Sequence, residues 1–73
     1  MPSFSPHARK RMNERRITED EVVRALNRRT GPPTPGDNGR IVVFGYGTGS
    51  RILKMVLTAD EQVIVSVMVP GEE

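Results

Sequence analysis

Ten residues near the middle of this chain decide what the rest can become. Thr30 to Gly39 holds three prolines and three glycines. Proline locks φ and removes an amide donor, and glycine admits left-handed backbone, so neither a helix nor a regular strand is expected across this stretch. It reads as a loop, residues 30–39, that ends in the Asp37-Asn38-Gly39 turn. On its N-terminal side the apolar residues recur at the helical period, and on its C-terminal side they alternate as in strands. A chain of 73 residues has room for one core, so residues 1–73 are expected to form a single domain.

Two helices are expected before the loop. Ser5-Pro6 is a good helix start, because serine caps free amides and proline tolerates the first helical position. The first helix then runs over about 6–15, with Ala8 and Met12 inward and Phe4 and Ile17 closing the ends of that strip. Thr18-Glu19-Asp20-Glu21 reads as a capping box, Thr18 being the cap and Glu21 its partner three residues on. The second helix is expected over about 19–28, burying Val22, Val23, Ala25 and Leu26.

Three strands are expected after the loop, at about 40–46, 51–58 and 62–69. Gly47-Thr48-Gly49-Ser50 and Ala59-Asp60-Glu61 connect them. Connections this short join antiparallel neighbours, which predicts a three-stranded meander and an α+β fold. Leu53, Met55 and Leu57 would share one face, with Ile52, Lys54 and Val56 on the other. Strict alternation would likewise put Val63, Val65, Val67 and Val69 opposite Ile64, Ser66 and Met68. Both faces carry apolar residues, so helices would cover one and a second subunit could cover the other. Pro70-Gly71-Glu72-Glu73 reads as a frayed tail.

Composition narrows the function classes. With 27% charged and 36% apolar residues the chain is neither a disordered segment nor a membrane span, and its N-terminus lacks the apolar stretch of a signal peptide. A cytoplasmic location and no membrane partner are expected. There is no cysteine and one histidine, which excludes disulfides and thiolate sites and argues against a conventional zinc centre, so no metal or cofactor is expected.

The net charge of +2 is unevenly spread. Residues 1–30 hold eight basic residues against four acidic ones, and the remainder holds three against five. A basic end suits a polyanionic partner such as RNA, or an acidic protein.

The sharpest candidates lie in the first helix. His7, Arg11 and Arg15 are spaced by four, so they form one cationic stripe on a helical face. Guanidinium groups hold phosphate in bidentate fashion and imidazole can move protons. The plainer reading is a basic, solvated helix surface in which Arg15 and Glu14 pair locally. Lys54, mid-strand in an apolar face, either reaches solvent or lines a site. Arg40 and Arg51, near strand ends, either protect edges or contact phosphate. Tyr46 either stacks on a base or packs into the core, together with Phe44. Gly45-Tyr46-Gly47-Thr48-Gly49 is glycine-rich, but it joins two strands and opens no helix, so it is not a phosphate loop.

These residues also carry a resemblance. His7-Ala8, Arg11-Met12, Arg15 and Ile17 match a His-Ala-x-x-Arg-Met-x-x-Arg-x-Ile helix, followed by a Thr-x-x-x-Val helix at Thr18 to Val22. Leu53-Lys54-Met55-Val56 and Ser66-Val67-Met68-Val69-Pro70 match its strand motifs. Over nearly its whole length the chain resembles a small prokaryotic domain family of unknown function that is itself similar to the RelE and BrnT ribonuclease toxins. The resemblance implies a RelE-like fold that binds RNA across its sheet and cleaves it without a metal. It implies His7 as general acid or base, Arg11, Arg51 and Lys54 on phosphate, and Ser66 as a hydrogen-bonding group. Arg15, Arg40 and Tyr46 would extend the RNA contacts. Met68 stands where such members often have Tyr, and the Gly45–Gly49 turn also departs from the pattern.

Three functions follow as expectations. One is a toxin-like ribonuclease, partnered by an acidic antitoxin. Another is a noncatalytic module binding RNA or protein, and the third is a dimerising accessory protein in which the second sheet face joins a homodimer.

Overall fold

The structure, a computed structural model, describes residues 2–71, with the side chain of Ser50 excluded. Glu72 and Glu73 of the expected tail therefore lie outside the described residues. The elements in chain order are β1 (Ser3–Phe4), α1 (Pro6–Arg15), α2 (Glu19–Asn27), β2 (Thr34–Pro35), β3 (Ile41–Tyr46), β4 (Ile52–Leu57) and β5 (Val63–Met68). Among the described residues no helix is long and apolar enough to cross a membrane.

Both helices begin as their sequences dictate. The Ser5 hydroxyl accepts the Ala8 N–H at 3.0 Å, and the Thr18 hydroxyl accepts the Glu21 N–H at 3.1 Å. The first helix stops at Arg16, which takes a left-handed conformation with φ 56° and donates its N–H to the carbonyls of Asn13 and Met12.

The sheet corrects the expected topology. It has five strands in the order β1-β5-β4-β3-β2, and β1 pairs with β5 in parallel. It is a mixed sheet, not the three-stranded antiparallel meander of a RelE-like fold, although the α+β class holds. The two added strands are only two residues long, too short to show an alternating pattern. One of them ends in Pro35, where a missing amide is tolerated because the strand lies at the sheet edge. Neither is announced by its sequence, and each is held by its long neighbour.

A second correction concerns β5. Strict alternation fails because the β4–β5 register shifts: Val56 faces Ser66 and Leu57 faces Ile64, leaving Val65 as an extra residue. This β-bulge reverses the faces along the strand. Ile64 is buried before it, and Val67 and Val69 are buried after it.

The Ser5 cap docks at this irregularity. Its N–H donates to the Ile64 carbonyl at 3.0 Å and its hydroxyl to the Val65 carbonyl at 2.9 Å. The start of α1 is thereby fixed to the edge of the sheet.

Helices cover one face only. Ala8, Met12, Ile17, Val22 and Ala25 pack against Val43, Leu53, Met55, Leu57, Ile64, Val67 and Val69 in a single core, with Phe4, Leu26 and Ile41 at its margin. α2 lies directly on β3 at Gly45. A Cβ there would stand 1.9 Å from the Ala25 carbonyl oxygen and 2.7 Å from its carbon, so no larger residue fits without moving the helix.

That close approach sets up a sharp contrast between two glycines. Gly45→Ala is expected to cost about 3 kcal/mol or more, because backbone cannot yield as a side chain can. Gly31→Ala, where a Cβ meets nothing within 4 Å, is expected to stay within about 0.5 kcal/mol of wild type. Urea unfolding of both variants checks this, and equal stabilities would show that α2 is free to shift.

Candidate functional site

The uncovered face of the sheet is built from three cross-strand rows. Val42, Val56 and Ser66 form one, Phe44, Lys54 and Met68 the next, and Tyr46 and Ile52 the last. Most of these side chains are half-buried, while Tyr46 and Ile52 are exposed at 44% and 39%. Lys54 therefore rises from the middle of an apolar surface.

A cavity of about 510 Å³ opens over this face, lined by His7, Asp37, Arg40, Lys54 and Ser66 with apolar neighbours from Val42 to Met68. His7 reaches it because Ser5 anchors the helix start at the β5 bulge, two residues before the imidazole. The extra residue at the bulge brings Val65 and Ser66 both into the lining. Arg40 and Asp37 arrive from the loop before β3. There the Arg40 N–H donates to the Asp37 carbonyl at 3.1 Å, and the Gly36 N–H donates to the Arg40 carbonyl at 2.7 Å.

Four candidates named from the sequence thus converge: His7, Arg40, Lys54 and Ser66. The other four lie elsewhere. Arg11 and Arg15 turn to Glu14, at 3.3 and 3.9 Å, so the helical stripe splits and only His7 lines the cavity. Tyr46 stands at the far end of the open face, beside Arg24 and Arg28. Arg51 is engaged with Glu21.

Asp37 is the lining residue that sequence reasoning read only as part of a turn. Its signal was an isolated carboxylate three residues before a basic one, in a loop leading into the sheet. Among the described residues no group of three or more His, Cys, Asp or Glu side chains is placed to hold a metal ion.

Charge pairing sorts the cations further. Arg9 pairs with Glu19 and lies 5.4 Å over the Phe4 ring, Arg29 pairs with Glu61 at 2.5 Å, and Arg51 pairs with Glu21 at 2.5 Å. Arg40 and Lys54 have no salt bridge among the described residues, and neither do Arg24 and Arg28. The cavity cations are thus available to an external anion.

The helix-covered side contains the one buried carboxylate among the described residues, Glu21, at 4% exposure. Its expected reciprocal capping bond to Thr18 is replaced by a longer reach. It accepts the Arg51 guanidinium at 2.5 and 3.0 Å and the Thr48 N–H at 3.1 Å, tying α2 to the β3–β4 hairpin. Burial pushes its pKa up, but the hydrogen bonds from Arg51 and Thr48 and the charges of Arg51 and Arg24 outweigh that and hold it below its ordinary 4.5. Gly47 makes room for this carboxylate, since a Cβ there would lie 2.5 Å from Glu21 Oε2.

The comparisons with known proteins add one fact. The family model for a domain of unknown function, DUF4258, matches residues 4–69. The chain belongs to the DUF4258 family. The DUF4258 match runs from β1 through β5, so it includes every residue lining the open-face cavity. No curated protein and no solved structure matches the chain.

The clamp at Glu21 makes stability depend on acid. A carboxyl held below its unfolded value contributes fully above pH 4.5 and loses that contribution as pH falls through the folded value. Glu21→Gln removes the charge that Arg51 and the Thr48 N–H bind and is expected to cost about 2–3 kcal/mol at neutral pH. The variant's stability should then decline less than wild type as pH falls from about 5 to 3. A smaller slope remains from Asp60, held low by the Thr58 hydroxyl and the Gln62 N–H, and from Glu61, held low by Arg29. Denaturant titrations across that range check this, and an unchanged slope would remove Glu21 as the acid-sensitive group.

Proposed function

We propose that the open sheet face binds RNA and cleaves it without a metal, as a toxin-like ribonuclease does. The observation that carries this reading is the gathering of Arg40 and Lys54, cations without a salt bridge among the described residues, with His7, Asp37 and Ser66 around one cavity on an otherwise apolar face. An apolar floor accepts the flat faces of bases while cations neutralise phosphate, which is how single-stranded nucleic acid is commonly held. The first-helix motif that carries the resemblance to the domain family of unknown function supplies His7, and ribonuclease chemistry is what that family's similarity to the RelE and BrnT toxins implies.

The chemistry is a transesterification. The Asp37 carboxylate takes the proton of a ribose 2′-hydroxyl, and the 2′-oxygen forms a bond to the adjacent phosphorus. The bond from phosphorus to the 5′-oxygen breaks, and His7 gives that oxygen a proton. The products are a 2′,3′-cyclic phosphate and a 5′-hydroxyl. Arg40 and Lys54 hold the charge that grows on the phosphoryl oxygens, and the Ser66 hydroxyl donates a hydrogen bond to one of them. An acidic antitoxin would neutralise the protein by covering the same cations.

One observation favours a noncatalytic alternative. His7 is exposed, and no hydrogen bond among the described residues orients its ring. In an RNA-binding module the cations suffice and His7 is replaceable.

Purified protein in EDTA is expected to cut labelled single-stranded RNA and leave 2′,3′-cyclic phosphate ends. His7→Ala and Lys54→Ala should each slow cleavage by about 100-fold or more, with circular dichroism unchanged. Binding that weakens steeply with salt, without cleavage with or without ribosomes, would leave the module reading. Absence of both would overturn the RNA assignment.

A further inference from the structure

A second cleft lies outside the proposed catalytic cavity. It has a volume of about 590 Å³ and is lined by Arg24 and Arg28 from the end of α2, by Tyr46 at the end of β3, and by Gly47 and Gly49 of the hairpin. The volume falls within the range of pockets that hold small ligands.

Its walls are set by backbone contacts. The Tyr46 N–H donates to the Arg28 carbonyl at 3.1 Å, and the Thr30 N–H donates to the Phe44 carbonyl at 2.9 Å, so the chain leaving α2 runs along the β3 edge. This seam holds Arg28 beside the tyrosine.

The groups on those walls match one ligand chemistry. Tyr46 is exposed, so its ring is free to stack on a base, and Arg24 and Arg28 make no salt bridge among the described residues. The charge of Arg24 does reach Glu21, but that carboxylate already binds Arg51 and the Thr48 N–H. Glycines at 47 and 49 keep the rim low enough for a backbone to pass.

Of the six cations without a salt bridge among the described residues, Arg40 and Lys54 line the open-face cavity, Arg24 and Arg28 line this cleft, and Lys10 and Arg16 line neither. Tyr46 links the two sites, because it stands at the end of the open face and also lines the cleft beside α2. Tyr46 is paired with Ile52, two residues along β3 and β4 from the Phe44–Lys54 pair. That is a separation of about 7 Å along the strands. A single strand lying along the face can pass from one site to the other.

We propose that the cleft is a second nucleotide subsite for single-stranded RNA, in which Tyr46 stacks on a base and Arg24 and Arg28 hold the adjoining phosphates. The proposal rests on the reading of the open face as RNA-binding, and it names the substrate as a strand of several nucleotides engaged beyond the bond that is cut. Affinity then rises with oligonucleotide length because the second site adds stacking and ionic contacts.

The test uses fluorescence anisotropy with two noncleavable probes, a 2′-O-methyl RNA hexamer and a 2′-O-methyl dinucleotide. Wild type should bind the hexamer far more tightly. The double variant Arg24→Ala/Arg28→Ala should weaken hexamer binding about tenfold and collapse the hexamer-to-dinucleotide affinity ratio. Tyr46→Leu, which keeps an apolar side chain, should reduce the same ratio, and thermal melts confirm that each variant is folded. Lys54→Ala should weaken both probes and leave the ratio standing.

A length ratio that survives in all cleft variants overturns the subsite while the open-face reading stands. Loss of the ratio in the cleft variants with no effect of Lys54→Ala supports the cleft and overturns the open-face reading. Failure of wild type to bind either probe overturns both.

Discussion

The contact between the backbone of Ala25 and Gly45 is the constraint on which the rest of this fold depends. With no Cβ on β3 at that point, α2 seats directly on the sheet. Helix and strand then lie close enough for the chain after α2 to run along the β3 edge, through the Arg29–Gly45 bridge and the Arg28 and Thr30 backbone bonds. The same proximity puts Glu21 within reach of Arg51 and the Thr48 N–H on the hairpin. A buried carboxylate is costly unless its lone pairs are filled, and here three donors fill them. The Gly45–Gly49 run, with its look of a ligand loop, is thus explained by packing: room for a helix at 45, room for a carboxylate at 47, and a left-handed turn at Gly49 with φ 62°.

Pairing of charges divides the cations into two groups. On the helical side and at the β4–β5 turn, Arg9, Arg11, Arg15, Arg29 and Arg51 each meet a carboxylate, and those cations act within the fold. Most of these pairs are exposed and worth little each, so their main effect is to neutralise charge that would otherwise repel. Arg40 and Lys54 on the open face, Arg24 and Arg28 beside the hairpin, and Lys10 and Arg16 at the first helix meet none among the described residues. A net charge of +2 would not reveal this division, because it averages over both groups.

Much of the local structure was legible in the sequence because its signals are local. Ser5-Pro6 and Thr18 cap their helices, and Leu53, Met55 and Leu57 point inward as alternation requires, whereas the Pro- and Gly-rich stretch read as loop contains the edge strand β2. The parts that escaped depend on distant partners. A two-residue strand has no pattern of its own, and the bulge at Val65 exists only relative to β4. Arg51 was read beside Lys54 as a phosphate contact, yet it answers a carboxylate 30 residues away. Four of the eight candidate site residues share one cavity, and the four that lie elsewhere were grouped by helical spacing or strand position, which say nothing of which carboxylate is near.

The single parallel pairing explains how a helix on one face contributes to a cavity on the other. Had the chain entered α1 without first pairing along β5, nothing would hold the helix start at the sheet edge. Because Ser3 and Phe4 align with Val63 and Ile64, Ser5 arrives opposite the bulge and spends its hydroxyl on both the Ala8 N–H and the Val65 carbonyl. The first turn of α1 therefore sits at the border of the two faces, with Ala8 turned into the core and His7 into the open cavity. Adjacent residues on a helix differ by about 100° in direction, so a helix start placed at the edge serves both sides. The feature least visible in the sequence, a two-residue strand in an unexpected direction, is thus what gives its only histidine a place beside Lys54 and Ser66.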